Sequence, residues 1–96
     1  MTSVDTAAET AAERLMMLAD DLGQRGFATQ AVRAGNGLCL RVISREAARL
    51  AEDIYAAPAR DGQWWFWWSW AEAIAGIEEV SATADRVAHV LAPHRG

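Results

Sequence analysis

The amino-acid sequence predicts an α+β domain ordered α-β-β-β-β-α. It is expected to form a four-stranded antiparallel meander with both helices packed on one face. Three observations predict this class. Apolar residues recur at helical spacing near each end of the chain. An Asn-Gly pair at 36–37, the strongest short hairpin signal, stands between two runs of strand character. The stretch QWWFWWSW at 63–70 then packs six aromatic residues, all five Trp among them, into positions 64–70. The 96 residues make one domain, 1–96. A chain of this size buries roughly two-thirds of its unfolded surface and needs neither disulfide nor metal to build a core.

The elements follow in order. Residues 5–24 read as an amphipathic helix, with Ala8, Ala11, Leu15, Leu18 and Leu22 on one stripe and Ala12 and Ala19 widening it. Thr6 and Glu9 have capping-box spacing. Gly23 and Gly26 are stop signals, and Gly26 before Phe27 suits a left-handed cap with a hydrophobic residue folding back. A hairpin follows over 27–43, with strands 27–33 and 38–43. A turn on Asn36–Gly37 pairs Ala31 with Val42; a bulged, longer loop pairs Val32 with Leu40, and the first is preferred. Either way Leu38, Leu40 and Val42 face inward, and Cys39, Arg41 and Ile43 outward.

Segment 44–57 has helix-forming composition, and Ser44 could cap it. We nevertheless read 44–49 as a loop or short turn and 50–57 as a strand hairpinned to 63–70, because tertiary pairing overrides weak propensity. Residues 71–79 form a connector, with one helical turn at most, and Ile74 and Ile77 tucked in. Ser81 caps a last helix over 82–92. Val80, Ala84, Val87, Ala88 and Leu91 make its buried stripe, and Pro93 ends it.

The aromatic strand carries the functional question. Side chains alternate along a strand. Trp64, Phe66, Trp68 and Trp70 share the face that packs under the helices; Trp65, Trp67 and Ser69 share the other. Helices on one side leave the opposite side of an antiparallel sheet to solvent. Trp65 and Trp67 stand there with Tyr55, and Val32, Arg41 and Ile43 can join them. Two Trp and a Tyr amount to roughly 500 Å², near the largest apolar patch a monomer usually exposes. A cover is therefore expected: a second copy of the chain, a different protein or small ligand, or a segment of the chain itself.

Composition narrows the partners. Net charge is −4 and the pI about 5.0, which opposes general affinity for phosphate backbones. All nine basic residues are Arg, and Ala is abundant, as GC-rich coding produces. Between 33 and 49 four Arg face Glu46 alone, which fits a solvated hairpin surface or a local site for an anionic partner. The single cysteine, Cys39, excludes an internal disulfide, and no Cys/His group has zinc spacing. No leader is evident and no apolar run reaches ~18 residues, so a cytoplasmic, non-membrane location is expected.

Catalysis is not expected. Glu52 and Asp53 are adjacent in a strand and face opposite ways. Asp20 and Asp21 lie on the exposed side of the first helix. His89 lies opposite the apolar stripe of the last helix, and His94 in the tail. Gly35, Gly37 and Gly62 serve turns, not a phosphate loop.

The segment from Arg60 to Leu91, above all DGQWWFWWSWAEAI followed by ADRVAHVL, resembles a set of short actinobacterial proteins carrying the same aromatic strand motif. The resemblance implies a high-GC Gram-positive source and a cytosolic location. It brings no activity, ligand or catalytic residue.

The expected function is thus a non-catalytic protein-interaction or regulatory module, without cofactor or metal. It is expected to self-associate as a homodimer, or to hold a small regulatory partner protein, through Tyr55, Trp65 and Trp67 with Arg41 and Ile43. The alternatives are a small-ligand site on the same aromatics and, less favoured, a stacking surface for single-stranded nucleic acid.

Overall fold

The computed structural model describes residues 3–34, 37–47 and 49–91, and of residues 3–8, 34 and 37 the backbone alone. The chain folds as α1 (Ser3–Gln24), β1 (Phe27–Ala34), β2 (Gly37–Ser44), β3 (Ala51–Pro58), β4 (Trp64–Trp68), β5 (Ala73–Gly76) and α2 (Val80–Leu91). The class is α+β, as the sequence predicts, and every strand pair is antiparallel. The sheet has five strands rather than four, in the order β1-β2-β3-β4-β5.

The added strand, β5, replaces the expected connector. Ile74 is the reason: it is buried in the common core, and β5 pairs with β4 across an irregularity between Phe66 and Trp67. A bulge of this kind lets adjacent residues serve one side and bends the strand. The turn leading into β5 carries Ala71 in the left-handed region, at φ 69°. A turn without glycine or asparagine at that position gives no sequence signal.

The ambiguous segment resolves as strand β3. Ile54, fully buried, pairs with Leu40 on one side and Trp68 on the other. Two partners outweigh the helical preference of the flanking Ala and Glu residues. Ser44 caps a short turn instead of a helix: its Oγ accepts the Ala47 N–H at 3.2 Å, and its own N–H donates to the Leu50 carbonyl.

The first hairpin adopts neither expected register. Ala31 pairs with Leu40, Thr29 with Val42 and Phe27 with Ser44. Ala34 pairs with Gly37, and residues 35–36 between them, including Asn36 of the expected turn, lie outside the described residues. The offset from the preferred register is two residues along one strand. An even slip keeps every side chain on its face, so the inward set of Phe27, Leu40 and Val42 is retained.

Both helices begin two residues earlier than expected. Thr6 lies inside α1 instead of capping it, because the helix begins at Ser3. Ser81 likewise lies inside α2, whose first turn closes from the Thr83 N–H to the Glu79 carbonyl. Gly26 takes φ 98°, with Phe27 buried behind it, as the cap reading requires.

One cluster holds the molecule together. Leu15, Leu18 and Leu22 of α1 and Ala84, Val87 and Leu91 of α2 share it with Leu40, Val42, Ile54, Phe66, Trp68 and Ile74. Thr83 is buried in the same stripe of α2 and satisfies its hydroxyl by donating to the Glu79 carbonyl at 2.8 Å. Trp70 departs from the expected core set. It follows the end of β4, is 50% exposed, and stacks on Trp68 with ring centres 4.9 Å apart. Its indole N–H donates to Glu72 at 2.8 Å. The strand ends at Trp68 because the chain turns there, so alternation no longer directs position 70 inward.

Candidate functional site

The strand register assembles the site. Tyr55 pairs with Trp67 on one side and Cys39 on the other, so Val32, Cys39, Tyr55, Trp67 and Ala73 form one row across all five strands. Directly opposed side chains on one face stand about 5 Å apart at Cβ. The neighbouring row holds Ala57, Trp65 and Gly76. This is the face opposite Leu40, Ile54, Phe66 and Trp68, and we refer to it as the outer face. Tyr55, Trp65 and Trp67 are therefore brought together as the alternation predicts.

The rings are not fully displayed. All three are half-buried, and the exposed large apolar side chains among the described residues are instead Met16, Met17, Trp70 and Val90. The outer patch is thus smaller than the sum of three free rings. Trp67 shows why. Its Nε1–H donates to the Ala57 carbonyl at 2.9 Å, which holds the indole against β3. The polar edge of the ring is satisfied within the chain, and the remaining ring surface is purely apolar.

Arg41 and Ile43 stand farther off. Arg41 occupies the row of Gln30 and Asp53, on the other side of the Tyr55 row from Trp65. Its Nε and Nη2 donate to the two carboxylate oxygens of Asp53, at 3.0 and 3.3 Å. These bonds to Asp53 raise the guanidinium pKa above its ordinary value. Arg41 is an ion-paired residue, so the local excess of Arg is offset here by an acid twelve positions away. Ile43 lies one row beyond, beside Ala28 and Ala51. The Arg41–Asp53 row separates it from the aromatic group. Asp53 is the member that sequence reasoning missed; only the β2–β3 register brings it opposite Arg41.

Cys39 lies beneath this group, 3% exposed, on the outer face and apart from the main core cluster. Burial pushes its thiol above the ordinary range, with the Asp53 charge adding to it. Tyr55 is raised in turn, chiefly by the neighbouring Cys39. A thiol held in its neutral form is a poor nucleophile. Glu52 and Asp53 do face opposite ways, toward the Val42 and Arg41 rows respectively. Among the described residues no group of three or more His, Cys, Asp or Glu is placed to hold a metal ion. No helix among them is long and apolar enough to cross a membrane.

A cleft of about 460 Å³ opens at the start of β4. Trp64 and Trp65 line it, with Thr10 of α1, Asp61 of the β3–β4 turn, Gly76 at the end of β5 and Glu78 beyond it. Successive strand residues face opposite ways, so the cleft wraps the strand end and takes one ring from each face. It was not legible in the sequence, because the acids meet only through the β4–β5 hairpin.

The chain matches no family model, no curated protein and no solved structure.

Proposed function

We propose that this chain is a non-catalytic association module that pairs with a second copy of itself through the outer face of its sheet. The observation that carries the reading is the Tyr55–Trp67 pair, with Trp65 in the next row, on the face that does not feed the core. Apolar residues of both helices join the core cluster with Leu40, Ile54 and Phe66, and the outer aromatics are left for a partner.

A two-fold contact suits this face. Isologous association needs a self-complementary surface. Arg41 and Asp53 stand side by side on it, so each can meet its opposite across an axis while keeping its own partner. Trp and Tyr are the residues that most often anchor interface centres. Trp67 brings no unsatisfied N–H into such a contact, since Ala57 already accepts it.

The footprint sets the strength. Strands of these lengths, spaced about 4.8 Å apart at about 3.3 Å per residue, cover roughly 500 Å² per subunit. Twice that is near the lower limit for a specific interface. The dimer is accordingly expected to exchange, with a dissociation constant in the micromolar range.

Light scattering on a sizing column across a dilution series tests it. The expected result is a dimer that dissociates on dilution. Trp65→Ser with Trp67→Ser is expected to give a folded monomer, and Asp53→Arg, which sets like charges together, to weaken pairing. A wild-type chain still monomeric at about 100 µM overturns the reading, since that leaves under about 5.5 kcal/mol for association.

A further inference from the structure

We infer that the cleft at the start of β4 is a binding site for the head group of a small organic cation, an alkylammonium such as choline. Its volume of about 460 Å³ lies within the range of small-molecule sites. Trp64 and Trp65 supply aromatic surface, and the indole ring is the best of the side chains at attracting a cation over its face. Asp61 and Glu78 also line it and add two carboxylates. Arg60, next to Asp61 in the turn, does not line the cleft, and among the described residues no Arg does. Aromatic walls with acids and no base match a ligand that is positive and weakly hydrated, and they oppose an anion.

The backbone leaves room for the ligand. Gly76 pairs with Trp65, and a Cβ built on Gly76 meets no atom within 4 Å. The open space beside the ring belongs to the cleft. Asp61 is held in place by its turn: one carboxylate oxygen accepts the Gln63 N–H at 3.0 Å. Glu78 follows Ile77, whose N–H donates to the Trp64 carbonyl at 3.3 Å. Both acids are thereby tied to the strand that carries the rings. The inference does not depend on self-association, and a chain that proves monomeric leaves it standing.

Choline chloride is the probe, followed by ¹H–¹⁵N spectra of the indole N–H groups and by tryptophan fluorescence. The expected result is saturable shifts at Trp64 and Trp65. The neutral isostere 3,3-dimethylbutan-1-ol should bind at least about tenfold more weakly, the loss of the cation–aromatic and carboxylate attraction. Gly76→Val, which adds a side chain to open space, should fold and lose binding. Asp61→Asn with Glu78→Gln keeps the turn bond and should weaken binding by about tenfold. The inference is overturned by equal binding of the neutral isostere, by the same shifts with sodium chloride alone, by shifts confined to other residues, or by undiminished binding in the double carboxamide variant.

Discussion

Gly62 and Ala71 hold the same position in two turns of the same geometry. Between β3 and β4 the Gly62 N–H donates to the Ala59 carbonyl, and the Ala59 N–H to the Gln63 carbonyl. Between β4 and β5 the Ala71 N–H donates to the Trp68 carbonyl, and the Trp68 N–H to the Glu72 carbonyl. Both third residues are left-handed, at φ 86° and 69°. Each is a three-residue hairpin loop that ends in a left-handed residue, but only the first has the glycine this conformation favours.

Ala71→Gly is therefore expected to stabilise the fold by about 1 kcal/mol, and Gly62→Ala to destabilise it by about 1–2 kcal/mol. Urea denaturation of the two variants and the wild type measures both. A destabilised Gly62→Ala beside an Ala71→Gly variant no more stable than the wild type would show that the turns are not equivalent.

Phe66 and Trp70 should separate cleanly, although the same aromatic run contains both. Phe66 is fully buried and Trp70 half-exposed. Phe66→Ala is expected to cost about 3–5 kcal/mol, enough to unfold a small domain in large part. Trp70→Ala loses the stack on Trp68 and is expected to cost about 0.5–1.5 kcal/mol. Thermal and urea unfolding followed by far-UV circular dichroism give both values.

Trp67→Phe keeps an aromatic ring on the outer face and deletes the donor to Ala57. The expected cost is about 1 kcal/mol, the net worth of one hydrogen bond. The Ala57 carbonyl should lose that hydrogen bond at the same time, read as a shift of its ¹³C resonance. A variant as stable as wild type would mean that the ring is free on the outer face.

The Cys39 thiol should react with an aromatic disulfide reagent only as the fold opens, so its rate should track stability across a urea series. Tyr55→Ala, which removes the ring paired opposite it, should raise that rate in the absence of urea. The pH sign follows from burial. The folded thiol titrates above the unfolded one, so its contribution is complete below the unfolded value of about 8.5 and is lost as pH rises through the folded value. Cys39→Ala should flatten the stability profile over that alkaline window.

Much of the outer face was legible because it depends on parity alone. Position 65 or 67 lies opposite 66 and 68 in any strand register, and an even slip in the first hairpin left Cys39 and Arg41 where alternation puts them. Pairing partners were not legible. Arg41 finds Asp53, and Trp65 finds Gly76, through turns whose lengths decide which residue stands opposite which. Trp70 was misplaced for the same reason: parity holds only while the strand lasts, and the chain turns after Trp68.

Local chemistry in the chain determined the two amphipathic helices, the Gly26 stop, the first strand pair and an aromatic strand with two loaded faces. The strand read over 50–57 is present as Ala51–Pro58, but only the tertiary structure decided that a fifth strand follows the fourth and that two acids and two indoles line one cleft at a strand end. Periodicity is written in neighbouring residues, whereas pairing is settled by competition among distant segments for the same hydrogen bonds and the same buried surface.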